Sequence, residues 1–311
     1  MKNVLAALAV ATAGPGFAYE VDVSGEFRLH FHTTDEETST TGALDINMIA
    51  PFGEIAAVEL GGSFDLSGPD ADYYLIQEDR GVAYASVNVD TGLGVLKVGR
   101  PRDLFTEHLD FMPFVDRSFS KAFTGASEFG FSLPILHSFA FSDIWADQND
   151  FVGLTFAGQS GGLIYGLGVT EETSGSKDTY RQILLGYEWD AYRVYVGFEE
   201  AVQDEETARF IAAFADWGNV RAEAMLRELD FGFVQETVTH IGVQYDPMEE
   251  LTLGLSYTNW NTDFPDVQDP FSTASIEYRP EERVFVKVAR DISFVTDDPV
   301  TSVTVGVRLN P

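Results

Sequence analysis

Residues 21–32 read Val-Asp-Val-Ser-Gly-Glu-Phe-Arg-Leu-His-Phe-His, and this stretch decides the class of fold. Apolar side chains recur at every second position from Phe27 to Phe31, and charged or polar side chains stand between them. A period of two is typical of a β-strand whose two faces meet different surroundings. The stretch therefore predicts a strand with one apolar face and one highly charged face.

The same alternation recurs through most of the chain, which predicts an all-β protein. It is clearest in residues 183–189, 194–198, 251–257, 284–288 and 303–309. The connections alternate between two kinds. Short turns that follow an aromatic residue lie at 189–192, 217–219, 245–249 and 278–281. Longer, mostly acidic connections lie at 33–41, 67–79, 143–150, 171–178, 202–206, 260–270 and 294–299.

Two architectures compete for such a chain. A soluble β-sandwich or lipocalin-like barrel also alternates, but its apolar faces must share one core, which rarely holds this much apolar side chain. A transmembrane antiparallel β-barrel turns the apolar face to lipid and leaves no strand edge in hydrocarbon. The strand predictions are weakest at 127–133 and 139–143. We predict the membrane barrel with 16 strands, within a range of about 16 to 18, which is wide enough to hold water.

Composition excludes several chemistries. The chain has no cysteine, so disulfides, thiolate metal sites and a cysteine nucleophile are ruled out. Its formal net charge of −31 would repel a phosphate backbone, which argues against a nucleic-acid partner. Hydrophobic residues make up 45% of the chain, and this fraction argues against disorder.

The N-terminus predicts an export signal. Lys2 precedes an apolar run over 4–13, and Ala18 ends a small-x-small cleavage site. We predict a signal peptide over 1–18 and a barrel domain over 19–311. The apolar run is shorter than the ~20 residues that a membrane-spanning helix requires.

Two segments carry a family resemblance. Residues 80–100, RGVAYASVNVDTGLGVLKVGR, resemble the hairpin before the third loop of Gram-negative general diffusion porins, and residues 19–28, YEVDVSGEFR, resemble their first strand. In that family the third loop folds into the lumen, where its carboxylates face basic residues of the wall. The chain departs from the pattern at Pro311, where members commonly end in an aromatic residue, and its third loop lacks their Pro-Glu-Phe-Gly-Gly motif.

The resemblance implies a pore constriction formed by the third loop, here residues 101–126. The candidate loop carboxylates are Glu107, Asp110 and Asp116, and the candidate wall cations are Arg28, Arg80, Lys97, Arg100 and Arg102. Phenylalanines are available to pack the loop against the wall, at Phe105, Phe111, Phe114, Phe119 and Phe123. Lys97 faces the lumen if Leu96 and Val98 face lipid, and Arg100 joins it only if Gly99 forms a bulge.

The expected function is an outer-membrane porin of a Gram-negative bacterium, a water-filled channel for passive diffusion of small hydrophilic solutes and ions. The excess of acidic residues favours cations. The resemblance implies a homotrimer surrounded by outer-membrane lipid and lipopolysaccharide. Two alternatives stay open: a non-conducting structural or adhesive outer-membrane barrel, and a secreted soluble β protein that binds a ligand.

Other chemistry has weaker support in the sequence. No nucleophile motif accompanies the histidines, so no enzyme activity and no catalytic residue are predicted. His30 and His32 alternate on one strand without a third ligand, which argues against a metal site there. No cofactor is predicted, although calcium could bind the acidic loop segments 35–37, 204–206 and 297–298.

Overall fold

The structure is a computed structural model. It describes residues 21–33, 38–67, 81–109, 150–175, 177–262, 270–293 and 300–309. Among these residues, no helix is long and apolar enough to cross a membrane.

Sixteen strands form one closed barrel in which every strand pairs antiparallel with its chain neighbours. The strands are β1 (Asp22–Thr33), β2 (Thr38–Pro51), β3 (Ala56–Ser67), β4 (Gly81–Asp90), β5 (Val95–Arg100), β6 (Phe151–Ser160), β7 (Leu163–Glu172), β8 (Thr179–Trp189), β9 (Tyr192–Ala201), β10 (Glu206–Asp216), β11 (Val220–Asp230), β12 (Gln235–Met248), β13 (Leu251–Thr262), β14 (Phe271–Glu281), β15 (Val284–Ser293) and β16 (Val300–Leu309). β1 closes the barrel on β16, with Gly25 opposite Leu309. The predicted fold class and the strand number of 16 are confirmed.

The two weakest predicted stretches, 127–133 and 139–143, lie outside the described residues. Among the described residues, β5 pairs directly with β6, from Val95 opposite Ala157 to Gly99 opposite Gly153. β5 has only six residues, so the barrel wall is short at the strand from which the third loop begins.

The exterior of the barrel is apolar. In β8, Ile183, Leu185 and Tyr187 are each about half exposed, whereas Gln182 and Leu184, which alternate with them, are at most 3% exposed. Leu253 and Val305, on other strands, also lie on the exposed face. The orientation of the apolar side chains is the one that a barrel in lipid requires.

An aromatic cluster marks the end of the barrel that carries the short turns, here called the turn side. Trp189 and Tyr192 stack with ring centroids 5.5 Å apart, and Trp217 meets Tyr192 edge-on at 6.1 Å. Tyr245 and Tyr278 are exposed at the ends of their strands on the same side. Amphipathic rings of this kind are enriched where hydrocarbon meets polar headgroups.

Further short turns join β2 to β3, β4 to β5 and β6 to β7, and glycines with positive φ occupy them, at Gly53, Gly92 and Gly161. The glycines at 92, 94, 161 and 162 indicate turns already in the sequence. The connection between β11 and β12, at 231–234, was missed, because Phe231, Phe233 and Val234 give it the composition of a strand.

The interior is not uniformly polar, contrary to the expectation for a wet lumen. Buried apolar side chains from β7 to β11 form one cluster with two residues that follow β5. The cluster consists of Leu104, Phe105, Ile164, Leu184, Tyr195, Phe210, Ala212, Phe214 and Met225. One sector of the inner wall is therefore dry and packed.

Candidate constriction site

A short helix inside the barrel begins directly after β5. This helix, α1 (Leu104–Leu109), has six residues, and its first hydrogen bond runs from the N–H of Glu107 to the carbonyl of Asp103 at 2.9 Å. Gly99 turns the chain with φ +128°, a backbone conformation that residues with a side chain rarely adopt. Pro101 is buried after it. The sequence analysis assigned this segment to the third loop and predicted no helix in it.

An apolar anchor holds α1 against the wall. Leu104 is fully buried over two glycines of β7, Gly166 and Gly168. Phe105 packs edge-on against Phe210 of β10, with ring centroids 5.0 Å apart. Full burial of such side chains contributes about 1.5–3 kcal/mol each, so these two residues fix the start of the third loop on β7 to β10.

Lys97 joins the opposite side of α1 to the wall. Its Nζ lies 2.7 Å from Oε2 of Glu59 on β3 and 2.8 Å from Oε1 of Glu107 on α1. Asn88 of β4 donates to the same Glu59 oxygen at 2.8 Å, and Ser86 donates to Asn88 at 2.7 Å. The network gives Glu59, which is 2% exposed, two partners at its Oε2, one of them a cation.

Asp103, the acidic residue just before α1, also accepts a hydrogen bond from the wall. Gln182 of β8 donates through Nε2 to Asp103 and, at 2.8 Å, to Glu199 of β9. Arg227 of β11 is 3% exposed and interacts electrostatically with Glu199 and Asp103. Each of the two carboxylates of this segment, Asp103 and Glu107, therefore meets a polar group of the inner wall.

Arg100 closes the base of the third loop. Its Nη1 lies 2.9 Å from Oδ1 of Asp150, the residue before β6, and its guanidinium stacks over the ring of Phe151 with 4.6 Å to the centroid. The strand pairing shows no bulge at Gly99, since Val98, Gly99 and Arg100 face consecutive residues of β4. Gly99 therefore has a positive φ but forms no bulge. The next residue, Arg100, packs on the buried ring of Phe151.

The predicted constriction residues thus fall into three groups. Lys97 and Glu107 are in contact, and Arg102 is half-buried within electrostatic range of their partner Glu59. Arg100 lies at the loop base, and Arg28 pairs with Glu26 in a different sector. Arg80, Asp110 and Asp116 lie outside the described residues, as do Phe111, Phe114, Phe119 and Phe123.

A row of alternating charges lines the inner wall toward the turn side. We call it the arginine row; its members are Arg28 and Glu26 on β1, Arg308 on β16, Glu277 and Arg279 on β14, Asp246 on β12 and Arg221 on β11. Its contacts include Arg308 Nε to Glu26 at 3.1 Å and Arg221 Nη2 to Asp246 at 2.7 Å. Four arginines against three carboxylates leave this region cationic in a chain of net charge −31.

Sequence reasoning missed most of the arginine row. Strand parity places Arg308 on the polar face of β16, but only the register shows that it meets Glu26, 282 residues away. The register depends on the length of each turn, and bulges near Met248 and Glu281 shift it locally.

His108 of α1 lies beside this constriction in a half-buried position. Burial lowers the pKa of its imidazole below the ordinary value of 6.5, and the Lys97 charge acts in the same direction against the attraction of Glu107. Its Nε2 is buried without a hydrogen-bond partner. A neutral ring is therefore favoured in the folded loop.

Metal ligands do not converge anywhere in the described part of the chain, where no three His, Asp or Glu side chains form a group able to hold an ion. Of the acidic segments considered for calcium, only 204–206 is described. There the backbone N–H of Asp204 donates to Asp178 at 3.4 Å. The calcium hypothesis stays a prediction.

Comparisons with known proteins agree with the barrel described above. The sequence profile of the family described as Gram-negative porin matches residues 5–294. No curated protein sequence matches the chain. A loop-deletion mutant of OmpT, an outer membrane protein of Vibrio cholerae, superposes with a TM-score of 0.64 at 12% identity, over 94% of this chain and 100% of that one. A variant of Rh. blastica porin superposes with a TM-score of 0.61 at 13% identity, over 93% and 100%. The chain belongs to the Gram-negative porin family, whose members are channels of the outer membrane.

Proposed function

We propose that the protein is a diffusion porin that passes small hydrophilic solutes and ions through a water-containing lumen narrowed by α1. The observation that carries this proposal is the contact of Lys97 with Glu107, which brings charged groups of the loop and the wall together inside an apolar-coated barrel. Charged linings orient polar solutes and penalise apolar ones. Transport of this kind is passive and requires no catalytic residue.

Cation preference is the expected selectivity. Glu59, Lys97 and Glu107 carry a net charge of −1 at neutral pH, and the whole chain carries −31. The arginine row opposes this preference on the turn side, so we expect a modest selectivity for cations. The test is the reversal potential of the purified protein in a planar bilayer under a KCl gradient. An anion-selective reversal potential at neutral pH would overturn the assignment.

A non-conducting barrel is the second candidate, and the apolar cluster inside the lumen favours it. Leu104 and Phe105 fill part of the interior next to β7 to β10. A barrel plugged in this way would serve a structural or adhesive role. The bilayer recording separates the two candidates, since the second one gives no unitary current steps.

Assembly and surroundings complete the proposal. We expect removal of residues 1–18, a homotrimer, and contact with lipopolysaccharide. The outer surface supports the last expectation, because exposed ion pairs lie toward the long connections on adjacent hairpins: Arg181 with Glu200 at 3.3 Å, and Arg209 with Glu228. Arginines at this level can meet lipid phosphates. Mass measurement of the mature chain and of the native complex in detergent tests the first two expectations.

A further inference from the structure

Arg227 of β11 places a positive charge inside the barrel wall. It is 3% exposed, and it is the one buried arginine among the residues that the structure describes. A buried charge is costly unless it is paired, so its partners indicate what it does. Arg227 interacts electrostatically, in decreasing order, with Glu199 of β9, Asp103 of the third loop and Glu236 of β12. It therefore connects the wall at β9 to β12 with the start of the third loop.

Strand register places Arg227 beside the apolar anchor of α1. Arg227 is the register partner of Phe210 on β10, and Phe105 of α1 packs against the same phenylalanine. On its other side Phe210 faces Gly197 of β9, where any side chain would collide with the phenylalanine ring. Phe210 thus has Arg227 beside it on β11 and Phe105 against it on α1, so Arg227 lies next to the place where the loop docks.

Two of the carboxylates that Arg227 attracts lie close to each other. Nε2 of Gln182 donates to Asp103 and, at 2.8 Å, to Glu199, so both carboxylates reach the same nitrogen. Glu199 is 0% exposed. Two negative charges in such a position repel each other strongly, because little water is present to screen them. Gln182 is neutral and leaves this repulsion in place, whereas the charge of Arg227 offsets it.

Asp103 links these charges to the constriction. Its carbonyl accepts the first hydrogen bond of α1, from the N–H of Glu107 at 2.9 Å. Glu107 in turn pairs with Lys97 at 2.8 Å. A displacement of Asp103 from the wall therefore moves the helix that carries Glu107. Leu104 and Phe105 also hold α1, but apolar contact is not directional, so the charged contacts decide how the helix is oriented.

We propose that Arg227 is a positioning residue of the pore constriction, which holds the start of α1 at the inner wall by attracting Asp103 and offsetting the charge of Glu199. The proposal rests on the proposed function, because the position of α1 affects transport only in a channel that conducts. Without the charge of Arg227, Asp103 and Glu199 repel each other and α1 loses one of its charged attachments. The width of the constriction then fluctuates.

Arg227→Gln tests the proposal by a measurement that does not require conduction. The chain has no cysteine, so Thr106→Cys allows one nitroxide label to be attached on α1. We expect the electron paramagnetic resonance spectrum of the label to change from immobilised to mobile in the Arg227→Gln barrel, purified in detergent. Arg209→Gln, the same substitution one strand away on the outer surface, is the control and should leave the spectrum unchanged. An immobilised label in the folded Arg227→Gln barrel would overturn the proposal.

Asp103→Asn separates positioning of the loop from a merely structural role of Arg227 in the wall. This substitution removes both the attraction to Arg227 and the repulsion from Glu199. The label should therefore show the same intermediate mobility in Asp103→Asn and in the double variant with Arg227→Gln. A double variant as mobile as Arg227→Gln alone would show that Arg227 does not act through Asp103. If Arg227→Gln does not fold, Asp103→Asn alone decides, and an unchanged spectrum would contradict the proposal.

Bilayer recordings give the functional readout. The open-channel current noise of Arg227→Gln should rise at least about twofold over that of the wild type, because the width and charge of a constriction set the current. Arg209→Gln should match the wild type. Unchanged noise together with a mobile label would overturn the role of Arg227 in the constriction. A wild-type protein that gives no current contradicts only the channel function, since the label still reports whether Arg227 holds α1.

Discussion

Leu104 occupies the space that a side chain at Gly166 would need. A Cβ at Gly166 would lie 2.7 Å from Cδ1 of Leu104, closer than real Cβ atoms approach a neighbour. The glycine on β7 and the leucine on α1 therefore form a matched pair, and the first turn of the third loop docks on the wall through it.

Gly166→Ala should weaken this docking, because the added methyl overpacks the contact at a cost of about 1–3 kcal/mol. Leu104→Ala removes the same anchor at about 2–5 kcal/mol. The double variant should be less destabilised than the sum of the two, since the alanine methyl then enters the space that leucine vacated. Urea unfolding in detergent measures all three variants, and strict additivity would show that the two residues are independent.

Lys97→Met should change both stability and selectivity. The substitution leaves Glu59 and Glu107 without their shared cation, and breaking a buried ion pair from one side costs about 3–5 kcal/mol. The local charge falls from −1 to −2, so the reversal potential in a KCl gradient should move toward stronger cation preference. An unchanged reversal potential would remove Lys97 from the ion pathway.

Asp150→Asn provides the contrasting case, with a small expected effect. Its ion pair with Arg100 has a comparable distance, 2.9 Å, but the Asp150 side chain is 72% exposed. Exposed pairs contribute about 0–1 kcal/mol, so the urea midpoint should stay close to that of the wild type. A loss as large as that of Lys97→Met would mean that the base of the third loop is more constrained than its exposure indicates.

The barrel itself was predictable because its signal is local. Alternation along each strand fixes which side chains face outward, and Lys97 between Leu96 and Val98 illustrates the rule: Val98 is 46% exposed and Lys97 is 8% exposed. The predicted strand number of 16, within a range of 16 to 18, agrees with the sixteen described strands. These inferences need only the period of the sequence.

The site was less predictable because it depends on register and packing. Glu59 was absent from the predicted set, although it is the wall partner of Lys97, since the two are 38 residues apart and meet across β4. α1 has only six residues, too few to produce a helical period. The apolar inner sector was missed because Leu184 and Phe210 occupy the face that the alternation assigns to water.

His108 should make the stability of the third loop dependent on pH. Burial lowers the pKa of His108, so the unfolded chain, with a pKa near 6.5, binds the proton more readily than the folded loop. The stabilisation is therefore fully present above pH ~6.5 and is lost as the pH falls below that value toward the lowered pKa of the folded state. His108→Gln cannot be protonated, so the stability difference between wild type and variant should shift against the wild type between pH 7.5 and pH 5.5. The shift is at most about 1.4 kcal/mol, the value for an imidazole with an unfolded pKa near 6.5 that stays neutral in the folded loop. Thermal melting of both proteins across this range measures the shift. The carboxylates titrate in both proteins, so their contribution to the pH dependence cancels when the two are compared. Parallel melting curves at every pH would show that the imidazole titrates alike in the folded and unfolded chains.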